Sequence, residues 1–454
     1  MPVLQLVVGI MGGSISREQK YKIKVVLALA VPTIVENFLL TIVGFVDTLF
    51  VSRIGLHEVA AVGVTNAIVA IYIAVFMAMG IGTSSLIARY IGAGQMVKAQ
   101  AIAGQSTWLA VIAGLIAGAI SLFFAEPLLR YMGTEADVLA VGVAYFQIVA
   151  VPSVFISLSV IFGNILRSAG DTKAPMVIAI WVNLLHIGLD YLFIFGVGQW
   201  PGWGITGAAW ATTLVRVFGT AALYICTKKS QVGCSLWQGL SRQYSLALLR
   251  ISGPAVAERL IMRLGQLFYA GLIVKLGTDV YAAFLMAGNI SYFSYMPGYG
   301  FAVAATTLVG NHVGAGRNRE AYQYGQVIMW LAVVLMAVIG IGYFSVASVA
   351  GTLFTEDPGV IRMVAIGLYI DAFAQPFIAV SLVMAGALQG AGDTKSPMYS
   401  TIAGIWMIRV AGIYVLCYIW DMKITGIWLV NLIDYAIRAA FLSFKFKKRM
   451  NTVD

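Results

Sequence analysis

Long apolar runs separated by short polar connections dominate the chain. Twelve of them lie near residues 24–51, 59–88, 101–125, 138–166, 174–197, 204–226, 246–274, 281–310, 322–350, 360–388, 396–419 and 424–444. Each reaches the roughly 20 residues that a helix needs to cross a hydrocarbon core about 30 Å thick. An all-α integral membrane protein with twelve transmembrane helices is therefore expected. Composition agrees: 60% of residues are hydrophobic, 11% are charged and the mean hydropathy is +0.90, whereas a soluble domain is about 25% charged. Forty-eight charged residues cannot cover a soluble body of 454 residues, so lipid must be the solvent. The apolar stretch from Pro2 to Gly13 is too short to span, lacks a basic segment ahead of it, and precedes the charged segment Arg17 to Lys24. It reads as a short tail or interfacial stub rather than a cleaved signal.

The net charge of +10 raises the question of nucleic acid, and the placement of the charge answers it. Even-numbered connections and both tails carry 18 of the Lys and Arg residues; the odd-numbered loops carry five, Arg53, Arg130, Lys275, Arg362 and Lys423. The positive-inside rule then places both termini in the cytoplasm of a multi-pass protein of the plasma (inner) membrane. Basicity reports topology and contact with anionic lipid, and no nucleic-acid partner is expected. Cys226, Cys234 and Cys417 form no CxxC pair and leave an odd count, so free thiols are expected, with neither a disulfide framework nor a zinc site.

The chain repeats itself. GNILRSAGDTKAPM at 163–176 returns as GALQGAGDTKSPM at 386–398, which sets an offset of 222. The same offset carries Pro32 onto Pro254, Glu36 onto Glu258, Gly55 onto Gly277, Leu86 onto Leu308 and the Gly92-Ala93-Gly94 run onto Gly314-Ala315-Gly316. A constant register over this length indicates gene duplication. Six spans per half return the chain to its starting side, so the halves are parallel repeats. The expected organisation is a tail at 1–23, an N-lobe at 24–227, a cytoplasmic linker at 228–245, a C-lobe at 246–445 and a tail at 446–454. Such lobes suit alternating access; a rigid scaffold or channel is the competing reading.

Charge within a span is expensive, so acidic residues at mid-helix depth are functional candidates. Asp47 lies 15 residues after Pro32, which removes a backbone hydrogen bond and permits a helix bend. Burial would favour its protonated form, and once ionised it could hold a cation; pairing with nearby Arg53 is the bland alternative. Asn183, His186 and Asp190 fall at i, i+3 and i+7 in the fifth span, on one helix face. His186 and Asp190 could share a proton or line a cavity with Asp47, with Asn164 as a further cavity candidate, or the group could merely fasten packing. Thr212 in the sixth span is a weaker candidate. Glu36 and Glu258, being duplicated, read as structural pairing groups, and Arg263, Asp371, Arg409 and Asp434 as internal ion pairs. The two GDTK loops read as hinges, with glycine releasing one helix, Asp or Thr capping the next, and proline in its first turn.

No P-loop, HExxH or GxSxG is present, and the GxGxxG at Gly202–Gly207 follows no strand, so ATP hydrolysis and familiar hydrolase chemistry are not encoded. Methionine (18) and aromatic residues (54) are abundant, which suits a cavity for varied aromatic cations as well as ordinary lipid-facing packing.

Over nearly its whole length the chain resembles the multidrug and toxic compound extrusion (MATE) transporters. The resemblance rests on twelve spans in two halves, the VPTIVENFLL opening with VDT at 46–48, IGAG at 91–94 and LRSAGDTKAP at 166–175; the branch is similar to DinF. It implies a V-shaped pair of six-helix lobes that exports cationic amphipathic drugs by antiport with protons or sodium. The family's first-span aspartate falls on Asp47, its fifth-span aspartate on Asp190 and its sixth-span threonine on Thr212. His186 stands where sodium-linked members have asparagine, which favours protons. The second-lobe carboxylates of other branches fall on Met262 and Ile378, so coupling is expected in the first lobe. The implied partners are small organic cations, protons and membrane lipid; no cofactor is expected beyond the ion gradient, and the chain is expected to be a monomer. A flippase for a lipid-linked precursor and an intramembrane enzyme using His186 with Asp190 remain the alternatives.

Overall fold

The computed structural model describes residues 17–233 and 241–451. The Pro2–Gly13 stretch, Cys234 and much of the 228–245 connection lie outside the described residues. Among the described residues the chain is helical, apart from connections and a lone bridge between Val197 and Trp200. In chain order the long segments are α1 (Arg17–Ser52), α2 (Leu56–Gly92), α3 (Met96–Phe123), α4 in two pieces (Ala136–Ala150 and Ser153–Ser168), α5 (Lys173–Phe195) and α6 (Gly204–Lys229). The second half gives α7 (Arg242–Val274), α8 (Thr278–Gly314), α9 (Asn318–Ala350), α10 (Pro358–Gly390), α11 (Lys395–Ile419) and α12 (Lys423–Asn451). A single short helix, Ala125–Tyr131, follows α3.

Nine of these are long and apolar enough to cross a membrane on their own, and the bent α4 pair makes a tenth. The remaining two, α7 and α8, are 33 and 37 residues long and more polar, α7 carrying Arg250, Glu258, Arg259 and Arg263. The twelve expected spans are thus all present as helices. Several overrun the expected bounds: α1 starts at Arg17, inside the stretch read as a tail, and α12 continues to Asn451. The physical reason is that the apolar runs mark only the hydrocarbon crossing, while intrahelical hydrogen bonding continues into the polar headgroup zone.

The duplication is visible in backbone detail. Gly170 and Gly392 both adopt left-handed φ, 89° and 87°, and the next amide donates back to Leu166 and Leu388 carbonyls respectively at 2.9 and 2.8 Å. The aspartate that follows caps the next helix in each half. Asp171 Oδ1 accepts from the Lys173 and Ala174 amides at 3.1 and 2.9 Å, and Asp393 Oδ1 from the Ser396 amide at 2.9 Å. These are glycine C-caps followed by Asx N-caps, the two devices that satisfy orphan helix-end groups. The halves differ in the short helix Ala125–Tyr131, replaced in the second half by a 3-10 turn at Gly351–Leu353, and in two of the long elements. Proline without an N–H at Pro152 breaks α4, whose pieces meet at 41°. In α11, residues Ala403–Val410 and Tyr414–Ile419 are π-helical, whereas α5 is regular.

Two compact units result. The N-unit comprises Val35–Ile91 and Gln95–Val256; the C-unit comprises the described residues up to Ile34, Gly92–Gly94 and everything from Ala257 onward. The division therefore runs through α1 and α7, and its two crossing points, after residues 34 and 256, are themselves 222 apart. Each lies two residues beyond a proline, Pro32 or Pro254. The early part of α1 packs Ile23, Val26, Leu29 and Ala30 into the C-unit core beside Phe301, Ile328 and Leu388. The early part of α7 contributes Leu248 to an N-unit core with Ile102, Ile161 and Phe162.

Candidate functional site

The face-reading of α5 is inverted relative to a soluble helix. Asn183, His186 and Asp190 are buried, while Trp181, Leu184 and Tyr191 are exposed. A helix that turns apolar side chains outward and polar ones inward is what a lipid-facing position requires. It lies close along α6 because Gly207 has no side chain: a Cβ there would run into the Phe193 carbonyl. That approach brings Thr212 to His186, Nε2 to Oγ1 being 3.3 Å. The Thr212 hydroxyl donates to the Ala208 carbonyl at 2.9 Å, so towards the imidazole it is an acceptor and Nε2 carries the proton.

The same Nε2 lies 3.3 Å from Asp190 Oδ2 and 3.8 Å from Asp47 Oδ1. Asp47, His186 and Asp190 place one donor atom each within 4.8 Å of one another. This is close enough for one proton or one small cation to be shared. The two carboxylates differ in access. The Asp190 side chain is 1% exposed and that of Asp47 28%, so Asp47 is the one that an incoming solute meets. The Asp190 and Asp47 carboxyls lie within hydrogen-bonding reach of one another, while Asn183 Nδ2 is buried without a hydrogen-bond partner, which costs free energy. At the outer end Phe50, Tyr191 and Phe195 form a triangle of rings with centroids 5.6 to 6.4 Å apart.

Two groups at this site escape sequence reasoning. Tyr145, from the first piece of α4, is buried beside Thr212 and within electrostatic reach of Asp47 and Asp190. Arg216 lies one turn along α6 from Thr212, donates from Nη1 to the Val149 carbonyl at 2.9 Å and faces Asp47 and Tyr145. A mid-span arginine at i+4 from the candidate threonine was the available signal for Arg216; nothing singles out Tyr145 among 21 tyrosines.

Other candidates lie elsewhere. Asn164 is on the second piece of α4, where its Oδ1 accepts from Ser84 at 3.1 Å and its Nδ2 donates to the Val160 carbonyl at 2.8 Å; it does not join the Asp47 group. Pro32 lies within an unbroken α1, in the part assigned to the C-unit. No ion pair joins Asp47 to Arg53 among the described residues; Asp47 turns to His186 instead. Glu36 is held by Arg167 Nη1 through both oxygens at 3.0 Å, and Glu258 accepts from Thr401 at 2.8 Å.

Within the C-unit, the positions equivalent to Asp47 and Asp190 are Tyr269 and Gly412. Fully enclosed Asp434 accepts from Arg409 Nε at 2.6 Å and Arg438 Nε at 2.7 Å, whereas Arg263 donates to Gln266 at 3.3 Å. Asp371 is bound by Gln375 at 2.8 Å rather than by an arginine. Cys226 and Cys417 are free thiols.

The MatE family model matches residues 32–192 and 254–415, one copy in each half. A probable multidrug resistance protein NorM of Thermotoga maritima is 30% identical over 435 residues, covering 94% of this chain and 93% of that one. The multidrug resistance protein PmpM of Pseudomonas aeruginosa is 27% identical over 399 residues, 85% of this chain and 82% of that one. Among solved structures, an outward-facing multidrug resistance MATE family transporter superposes with a TM-score of 0.89 at 22% identity, covering 97% of this chain and 100% of that one.

Proposed function

We infer that the chain, which belongs to the multidrug and toxic compound extrusion family, is a multi-pass membrane transporter of small organic compounds rather than an enzyme. We propose that it exports cationic amphipathic molecules in exchange for protons, through the carboxylate pocket of the N-unit. The observation that carries this reading is the pair of unequal carboxylates joined by one imidazole. Asp190 is enclosed, Asp47 is accessible, and His186 Nε2 lies 3.3 Å from the first and 3.8 Å from the second.

Ionised Asp47 attracts a cation entering the pocket. A proton arriving from outside neutralises Asp47, the attraction is lost, and the cation leaves; Pro32 supplies the weakness at which α1 changes shape. Proton and substrate thus compete for one charge, which is what couples their opposite movements. One elementary charge moving through the membrane potential is worth about 2.3 kcal/mol per 100 mV, so the gradient drives uphill export. His186 supports protons over sodium, since its Nε2–H beside two carboxylates can pass a proton between them, while a protonated nitrogen offers a sodium ion no lone pair. Positive-inside asymmetry supports cytoplasmic termini, and the intact pocket within one unit supports a monomer as the working form.

The test is efflux of a fluorescent cation from loaded vesicles driven by an imposed pH gradient or by a sodium gradient. The proton reading expects efflux on the pH jump alone and its loss in Asp47→Asn. Efflux that follows sodium at constant pH overturns the choice of ion, and unchanged proton-driven efflux in Asp47→Asn overturns the site.

A further inference from the structure

His186 and Asp190 stand four residues apart on α5, the spacing at which two side chains of one helix reach a common ion. Asp47 joins them from α1 and Thr212 from α6, all within the N-unit. One ligand atom from each of Asp47, His186 and Asp190 lies within 4.8 Å of the other two. From His186 Nε2 the distances are 3.3 Å to Asp190 Oδ2, 3.8 Å to Asp47 Oδ1 and 3.3 Å to Thr212 Oγ1. Ligand bonds of about 2.0–2.2 Å around a tetrahedral ion put neighbouring ligand atoms about 3.3–3.6 Å apart. The edges that meet at Nε2 fall on or close to that spacing.

The donor set is one imidazole, two carboxylates and a hydroxyl, with no sulfur. Calcium and magnesium take six or more oxygens, and copper(I) prefers sulfur. A nitrogen with two carboxylate oxygens suits a borderline divalent ion, zinc above all. Two carboxylates neutralise one dication, which lets it leave water for a site where the Asp190 side chain is 1% exposed. Asp47, 28% exposed, gives the ion its way in.

The metal-free pocket keeps protons at the same atoms. The two carboxyls lie within hydrogen-bonding reach of one another, a contact that needs a proton between them, and Nε2 carries its own. Zinc displaces both: the carboxyl proton passes to solvent, and the ring changes tautomer to hold its proton on Nδ1. Sodium binds too weakly to strip a nitrogen-bound proton, so the imidazole separates the two ions. We propose that Asp47, His186 and Asp190 form a site for one zinc-like divalent ion, with the Thr212 hydroxyl at the fourth position. A bound ion holds both carboxylates at once and denies them to protons and organic cations. Zinc is therefore a competitive inhibitor of the exchange; this consequence rests on the proton–cation reading given above, whereas the site itself does not.

Cobalt(II) is the probe, because it enters zinc sites and absorbs strongly in the visible only when four-coordinate. It is titrated alone into the full-length protein, in detergent and without a histidine tag, with size-exclusion profiles as the check on folding. A four-coordinate spectrum should saturate at one ion per chain and vanish on adding zinc. His186→Asn removes a ligand and should weaken cobalt binding about a hundredfold or more, beyond what loss of a supporting partner costs. His186→Cys supplies a thiolate instead and should keep the cobalt, with an added near-ultraviolet sulfur-to-metal band that a purely structural histidine cannot produce. Asp190→Asn should also weaken cobalt binding, a second route should a histidine variant fail to fold. Absence of the four-coordinate spectrum overturns the site. So does its persistence in His186→Asn or Asp190→Asn, or a folded His186→Cys without the sulfur band. Zinc that binds with these signatures yet leaves pH-driven efflux of tetraphenylphosphonium, a lipophilic organic cation, unchanged upholds the site and overturns the pocket's role in exchange, so the two failures are told apart.

Discussion

Replacing Asp434 by asparagine should remove a large share of the stability of the protein. The carboxylate is wholly buried and receives Arg409 Nε at 2.6 Å and Arg438 Nε at 2.7 Å. Asparagine keeps the shape but loses the charge, and it turns one oxygen into an N–H donor that faces a donor. Breaking a buried pair by removing one partner costs about 3–5 kcal/mol. That figure already includes the two guanidinium groups left without a counter-charge, and the contact of Arg409 with the Tyr435 ring, 4.9 Å from its centroid, is kept with either residue and cancels in the difference. The cost of about 3–5 kcal/mol compares with a typical total of about 5–15 kcal/mol. Asp434→Asn should therefore yield little monodisperse protein after mild heating in detergent, and Asp434→Asn/Arg409→Gln should recover part of the loss because one of the two stranded charges is gone. A midpoint for Asp434→Asn within 2 °C of the wild type would refute the reasoning.

Gly207→Val places a branched side chain against the Phe193 carbonyl, so α6 must withdraw from α5; overpacking of this kind costs about 1–3 kcal/mol, and tetraphenylphosphonium binding should weaken along with thermal stability. Asp171→Ala and Asp393→Ala remove equivalent helix caps and should each cost about 1 kcal/mol, read as matched shifts in the unfolding midpoint of the two variants. Thr212→Val deletes the acceptor that holds His186 and should lower pH-driven efflux while leaving the folded fraction near the wild type, since one hydrogen bond is worth about 1 kcal/mol.

The twelve helices were readable in advance because a membrane span has to announce itself: twenty apolar residues with almost no charge have no other stable solvent. The constant offset of 222 was equally legible, and it recurs in the structure as paired left-handed glycines and paired aspartate caps. Helix ends were less so, since Arg17–Lys24 and Phe446–Asn451 are polar stretches whose helicity depends on continuation rather than hydrophobicity. The break in α4 could have been read from Pro152; the π-helical turns of α11 carry no comparable signal. At the site, Asp47, His186, Asp190 and Thr212 were found one by one from depth and spacing, and the structure brings these four together. Asn164 went astray because a polar residue inside a span can serve helix packing as readily as a cavity, and here it bonds Ser84.

The duplicated elements and the unduplicated ones separate two jobs. What repeats is the machinery of chain direction: the prolines at 32 and 254, the glutamates at 36 and 258, the glycine–aspartate turns, and the points at which α1 and α7 pass from one unit to the other. What does not repeat is the accessible carboxylate with its imidazole, for which the second copy has Tyr269 in place of Asp47, holds Asp434 in a closed set with Arg409 and Arg438, and leaves buried Asp371 to Gln375. A closed set has no charge to exchange, so it can stabilise but not couple. An open set, with one carboxylate 28% exposed and another buried behind a histidine, is costly to hold when empty and is relieved by a visiting cation. In the exchange proposed above, that cost is the means by which a proton and a cationic compound sense each other. It follows that neutralising substitutions in the C-unit should alter yield and midpoint without changing which ion drives efflux, whereas a change of ion preference requires substitution at Asp47, His186 or Asp190.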